Sequence, residues 1–204
     1  MTQQSLAAAM NTVVGISGAS GIIYGVRLLQ SLPPRRTVVL SEAAGRIADV
    51  ELGMSVADIH KLAEAHYANS DLFSPLSSGS VRFDSMVIAP CSTSTMSKIS
   101  CGIADNLMTR TASVALKEHR KLVLVIRETP LSSIHLQNMA RLAAAGVTIL
   151  PASPAFYPMP KNVDEMIDFV VGRVLDDLGI DNKLYRRWAG KRPTGSRVSR
   201  RTAH

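Results

Sequence analysis

The chain has 204 residues, 46% of them hydrophobic, enough for one sizeable α/β domain burying on the order of 70% of its unfolded surface. Its net charge of +7 looks like a nucleic-acid signal until it is located: Lys191, Arg192, Arg197, Arg200 and Arg201 account for five of the seven, leaving +2 for the body. With 4% aromatic residues and no basic stripe interleaved with them, the body lacks the stacking platform of a nucleic-acid module. No apolar run approaches the ~18 residues of a membrane span, and the first ten residues lack the basic and apolar regions of a signal peptide. Two cysteines, Cys91 and Cys101, without metal-ligand company fit a reducing, cytoplasmic setting, and no histidine spacing matches a metal site.

The first predicted strand, Val13-Val14-Gly15-Ile16, breaks into Ser17-Gly18-Ala19-Ser20-Gly21 before an apolar-periodic helix from about Ile22 to Leu32. Such a loop lets backbone approach a ligand and offers an anion the N–H groups and positive dipole end of a helix. Pro33-Pro34 stops that helix, and Thr37 to Leu40 forms a second strand ending at Ser41. Glu42 to Val50 and Val56 to Ala65 read as helices. Asn69 to Asp84 is the longest loop-like stretch, either an active-site flap or an Ω-loop.

Ser85 to Ala89 is the third strand, halted by Pro90, and Cys91-Ser92-Thr93-Ser94-Thr95 turns into a helix. Asp105 to His119 is a helix. Leu122 to Ile126 is an almost wholly apolar fourth strand, as expected when helices cover both faces of a sheet. After Arg127-Glu128-Thr129-Pro130, Ser132 or Ser133 caps a helix to Ala145, ended by Gly146. Val147 to Leu150 is the fifth strand, Pro151 to Pro160 a proline-rich loop, and Asn162 caps a last helix, Val163 to Leu178. The alternation predicts a single doubly wound parallel sheet of five or six strands, flavodoxin-like or Rossmann-like, over residues 11–189. A basic, disordered tail follows at 190–204.

Every predicted strand ends in chemically useful residues: Gly18, Ala19 and Ser20; Ser41; Ser92 to Thr95; Arg127 and Glu128; and, past the fifth, Tyr157. Doubly wound sheets gather ligands at the carboxyl ends of their strands, so these loops predict one phosphate-binding site. Ser41 stands where a dinucleotide ribose calls for an acid, which favours a mononucleotide. Each residue also has a plain structural reading. Serines cap helices, Arg127-Glu128 can be a loop ion pair, Lys117 and Arg173 can face solvent, and Glu51 can be a helix-end acid. Tyr157 can pack on prolines and Trp188 can anchor the C-terminal segment. Of the histidines, His60, His66 and His119 fall on helical segments, and His135 alone lies near the proposed site.

Five motifs in order carry a resemblance: Gly15-Ile16-Ser17-Gly18-Ala19-Ser20-Gly21 with Tyr24-Gly25; Pro90-Cys91-Ser92-Thr93-Ser94-Thr95; Ala115-Leu116-Lys117-Glu118; Arg127-Glu128-Thr129-Pro130-Leu131; and Pro154-Ala155-Phe156-Tyr157. Over about Val13 to Trp188 the chain resembles the flavin prenyltransferases of the UbiX type. The resemblance implies a metal-independent enzyme that alkylates reduced FMN with dimethylallyl phosphate and closes a ring between flavin N5 and C6. The product, prenylated FMN, serves UbiD-type decarboxylases. It also implies a large homo-oligomer, in which the site can be completed between subunits.

Carried over residue by residue, the resemblance implies that Gly18, Ala19, Ser20, Ser41, Ser92, Thr93, Ser94, Thr95 and Arg127 hold FMN. Lys117, Tyr157 and Arg173, with Arg127, take the donor phosphate. Glu51 and Glu128 handle protons, Ser20 relays them, and Trp188 helps close the site. Competing expectations are an FMN-dependent decarboxylase of a cysteine-containing substrate, which calls for a histidine base and an Asn-rich motif not found here, and a non-enzymatic flavin-delivery subunit. A short-chain NAD dehydrogenase is a fourth, weaker expectation.

Overall fold

The computed structural model describes residues 10–190; the basic-tail expectation at 191–204 and the reading of residues 1–9 lie outside them. Six parallel strands pair in the order β3-β2-β1-β4-β5-β6. They are β1 (Thr12–Ile16), β2 (Arg36–Leu40), β3 (Ala65–Ala68), β4 (Ser85–Cys91), β5 (Lys121–Ile126) and β6 (Thr148–Pro151). Seven helices connect them: α1 (Ile22–Ser31), α2 (Glu42–Leu52), α3 (Val56–His60), α4 (Thr93–Ser100), α5 (Leu107–Lys117), α6 (Ser133–Ala144) and α7 (Val163–Asp177). The doubly wound α/β expectation holds. The winding reverses between β1 and β4, where such sheets bind ligands.

The strands are apolar throughout because each residue meets a helix layer on one face or the other. Val14, Val38, Val87, Val123 and Val125 point toward α1, α2, α3 and α7, while Val13, Met86, Ile88, Leu122 and Leu124 point toward α4, α5 and α6. In α1, Gly25 lets the helix sit directly on the sheet: a Cβ there would stand 2.3 Å from the Ala89 carbonyl oxygen. Arg27 on α1 pairs bidentately with Asp168 on α7 (2.6 and 3.0 Å), tying the two helices that share this face.

Four sequence expectations are corrected. The stretch Val56 to Ala65 is not one helix: α3 ends at His60, and Ala65–Ala68 is a sixth, edge strand in which His66 lies. Its pattern alternates half-buried and exposed residues, too short and too polar to stand out by periodicity. Pro90 does not end β4, which continues to Cys91 through a register shift after Ile88; a proline removes one donor, and the irregular pairing absorbs the loss. His119 lies beyond α5, at φ 53. The 69–84 stretch is no flap: it includes a short 3-10 turn, buries Leu76 and Phe83, and accepts from Arg110 and Arg120 at Ser77, Gly79 and Val81. Among the described residues no helix is long and apolar enough to cross a membrane, and no cluster of metal-binding side chains occurs.

Candidate active site

The β1/β4 switch point is welded by a residue that the motif reading passed over. Ser17, 1% exposed, donates its hydroxyl to the Pro90 carbonyl (2.9 Å) and accepts from the Ser92 backbone N–H (2.7 Å). Its own backbone N–H also donates to Pro90 (3.2 Å), and the Ser41 N–H donates to the carbonyl of Ile16 (3.1 Å). Three loops are thus fixed to one another through the Ser17 hydroxyl and main-chain groups. The sequence signal was present, since Ser17 directly follows a buried strand in a glycine-rich turn.

Two helices begin at this junction with serine caps, and the first turn of α4 is rich in hydroxyls while that of α2 carries Glu42. Ser41 caps α2, accepting from the Ala44 N–H (3.1 Å). Ser92 caps α4, accepting from the Thr95 N–H (3.2 Å) and donating to the Thr95 hydroxyl (3.0 Å), with Thr93 and Ser94 in the same first turn. Helix N-termini with hydroxyls beside them suit an anion such as a phosphate, which accepts from N–H and O–H donors. A hollow of about 540 Å³ opens beside Ser41, between the ends of β2 and β3 and the start of α5, lined by Leu40, Tyr67, Asn69 and Asn106 among others.

The start of α1 differs from expectation. It does offer N–H groups to an anion, but that anion is the protein's own Glu51, on the last turn of α2. Its carboxylate accepts from Gly21 (2.9 and 3.1 Å) and from Ile22 (3.1 Å). Gly21, at φ +96 in the left-handed region and without a side-chain cap, takes the turn that glycine adopts without strain. Burial pushes the Glu51 carboxyl up, but the Ser20 hydroxyl, the Gly21 and Ile22 amides and the charge of Arg127 outweigh it and hold the acid below its ordinary value. Glu51 is therefore ionised at neutral pH.

Arg127 leaves β5 and donates its Nε to the Ser20 carbonyl (2.9 Å), fixing the loop and aiming the rest of its guanidinium outward. Tyr24 lies beside it: burial raises the phenol, and Arg127 partly offsets the rise. Glu128 is exposed, with its carboxylate accepting from the next amide, Thr129 (3.0 Å). Gly18, Ala19, Ser20, Glu51, Ser41, Ser92 to Thr95, Arg127 and Glu128 thus collect along one edge. His135 accepts from the Ser132 amide within the cap of α6 (3.3 Å).

The other predicted residues stand elsewhere in the chain. Lys117 closes α5 on the Gly79 side and pairs with Glu118, four residues before β5 begins. Arg127 follows the other end of that strand, whose six residues span about 20 Å. Arg173 lies on α7 one turn before Asp177, whose ion pair with Lys121 (2.9 Å) marks the amino end of β5. It lines a hollow of about 360 Å³ against β6. Tyr157 packs edge-on against Phe169 (5.9 Å) and Trp188 (5.5 Å), near enough to Arg173 for the two to interact electrostatically. One chain therefore carries three separate groups: the switch point, Lys117 and the Tyr157–Arg173–Trp188 flank.

The Flavoprotein family model matches residues 2–175. A flavin prenyltransferase UbiX of Methanocaldococcus jannaschii is 50% identical over 181 residues, 88% of this chain and 98% of its own. That of Thermoplasma acidophilum is 52% identical over 180 residues, 88% and 100%. Among solved structures, a dodecameric FMN-dependent UbiX-like decarboxylase from Escherichia coli O157:H7 superposes at TM-score 0.86 with 43% identity, covering 89% of this chain and all of that one. AnUbiX in complex with FMN and dimethylallyl pyrophosphate gives 0.86 and 39%, covering 89% and 98%. With identity near one half across almost the whole length of these relatives, and a fold and loop order that match, the chain belongs to the Flavoprotein family and, within it, to the UbiX flavin prenyltransferases.

Proposed function

We propose that the protein transfers the dimethylallyl group of dimethylallyl monophosphate to reduced FMN: the new N5–C bond replaces the donor C–O bond, releasing inorganic phosphate and the N5 proton, and the new C6–C bond consumes the prenyl double bond, C6 losing its proton while the other alkene carbon gains one. The observation that carries this reading is the Glu51 carboxylate, held ionised at the β1/α1 turn beside Ser20 and Arg127. A base fixed by backbone amides suits removal of the C6 proton, and the Ser20 hydroxyl can pass protons along the same edge. When bound, reduced FMN supplies the electron-rich atoms that take the prenyl group. Gly18, Ala19, Ser41, Ser92 to Thr95 and Arg127 hold it by its phosphate and backbone contacts.

Departure of an allylic phosphate needs charge stabilisation and a proton. Lys117 and Arg173 supply cations, Tyr157 a directed donor, and Glu128, when protonated, the proton for the leaving oxygen. A monophosphate can leave this way without a metal. Because these residues fall in separate places on one chain, a homo-oligomer brings them together, with Lys117 and the Tyr157–Arg173 flank contributed across subunit contacts and Trp188 closing over the donor. The product goes to a UbiD-type decarboxylase. The setting is cytoplasmic, in keeping with two free cysteines.

Anaerobic incubation with reduced FMN and dimethylallyl phosphate, followed by flavin mass measurement, tests the reaction. A flavin heavier by one prenyl unit is expected; an unshifted flavin overturns it. Glu128→Gln separates catalysis from mere flavin delivery: turnover should fall while FMN still binds, and unchanged turnover would remove Glu128 from the mechanism. Cysteine decarboxylases such as TvaF share the fold at 17% identity and TM-score 0.58, a likeness of fold alone.

A further inference from the structure

The C-terminal segment after α7, residues 180–188, is tied back onto that helix through one carboxylate. Asp176, with 14% of its side chain exposed, accepts from Arg187 (Oδ1 2.6 Å, Oδ2 3.1 Å), from the Tyr185 hydroxyl (2.5 Å), from Asn182 Nδ2 (2.9 Å) and from Arg173 (3.2 Å). Burial works against its charge, but Arg187, Tyr185 and Asn182 more than compensate and hold the acid below its ordinary value. The docking is built into the helix as well. Gly172 lies under the Tyr185 ring, where a Cβ would come within 2.5 Å of Cδ1, and Tyr185 stacks edge-on with Phe169 (4.9 Å), the ring that also meets Tyr157.

We propose that Asp176 is a positioning residue for the donor-phosphate group: it seats the 180–188 strap so that Trp188 stands against Tyr157, and it orients Arg173 without neutralising it. The proposal rests on the assignment of Tyr157 and Arg173 to the phosphate of the prenyl donor. The charge balance is the reason for its second half. One carboxylate between two guanidiniums leaves a net positive charge, and Arg187 makes the two shorter contacts. Arg173 gives only its NH1, at 3.2 Å to Asp176 and 3.4 Å to the Tyr185 oxygen, so the remainder of its fork stays available to a phosphate. Arg187 thus acts as a decoy cation that keeps Asp176 from capturing Arg173.

The chain has a single tryptophan, so Trp188 emission reports the strap directly. Asp176→Asn, Asp176→Glu, Arg187→Gln and Gly172→Ala in the full-length protein are compared by acrylamide quenching without ligand, and by kinetics with reduced FMN and dimethylallyl phosphate. Trp188 is already 70% exposed, so Asp176→Asn should raise the quenching constant by about a third, and it should raise the KM for dimethylallyl phosphate roughly tenfold, with kcat within about threefold and FMN affinity unchanged. Asp176→Glu should recover part of both. Gly172→Ala, which removes no charge, should raise quenching alike. Arg187→Gln should raise KM further than Asp176→Asn, since the freed carboxylate then pairs with Arg173.

Unchanged quenching in both Asp176→Asn and Gly172→Ala overturns the strap anchoring. Unchanged KM in Asp176→Asn, or kcat and FMN affinity falling together with thermal stability, overturns the positioning role. If the wild-type protein prenylates no flavin, the assignment of Arg173 falls with the proposed reaction, and the quenching series still decides the anchoring by itself.

Discussion

The switch point and the α7 flank organise polar residues in opposite ways. At the switch point, main-chain groups are what is gripped: the Ser17 hydroxyl bridges Pro90 and Ser92, the Ser41 amide is tied to Ile16, and Arg127 holds the Ser20 carbonyl. On the flank, side chains hold side chains, with Asp176 gathering Arg173, Tyr185, Asn182 and Arg187 near solvent. The first arrangement is complete within one chain and costs little reorganisation when an anion arrives. The second presents a cation and a phenol outward and needs further groups. Under the proposed function, the flavin half of the site is preformed within one chain and the donor half is assembled between chains.

The sharpest way to break that contrast is to separate the halves. Lys117→Ala should lower prenyl transfer by about 10³-fold, since it removes a cation aimed at developing phosphate charge, and leave FMN affinity unchanged. Co-assembled with Glu51→Gln chains, it should recover roughly a quarter of wild-type activity, because random mixing pairs an intact Glu51 with an intact Lys117 of another chain in that fraction of sites. No recovery would mean that one chain supplies both.

Glu51→Gln alone should cost about 10²-fold in turnover with flavin still bound, the amide oxygen remaining an acceptor for Gly21 and Ile22. It also carries a pH signature. The folded state holds the Glu51 carboxyl below the ordinary value of 4.5, so its contribution to stability is present above that value and is lost as pH falls through the lower folded one. Acid-unfolding curves of wild type and Glu51→Gln should converge below pH 4.5; parallel curves would show that the carboxylate is not stabilised there.

Ser17→Ala removes the weld between the two loops and leaves the half-buried Ser92 amide without its acceptor, a loss of about 1–3 kcal/mol in chemical denaturation accompanied by weaker FMN binding. At the bottom of the scale, Arg46→Ala breaks only the exposed pair with Glu42 and should change stability by less than about 0.5 kcal/mol. A larger effect would mean that this surface is covered in the assembled protein.

Much of this was legible before any coordinates. Buried parallel strands such as Leu122 to Ile126 announce themselves by unbroken apolar runs, and caps such as Asn162 and Ser132 by residue type at helix starts. The edge strand Ala65–Ala68 did not, because only part of it is buried and its histidine and tyrosine carry no strong period. The loops that carry the candidate residues follow the strand ends, so their shared edge follows from topology alone.

By itself the sequence determined the fold class, the order of the motifs and the family, since periodicity, capping and turn chemistry are local properties. Only the tertiary structure decided that Glu51 occupies the α1 terminus, that Ser17 joins two loops 73 residues apart, and that Lys117 and Arg173 lie away from Arg127. Those outcomes depend on which helix end faces which loop and how far a strand carries the chain. Such distances are set by packing between segments remote in sequence, and no local pattern encodes them.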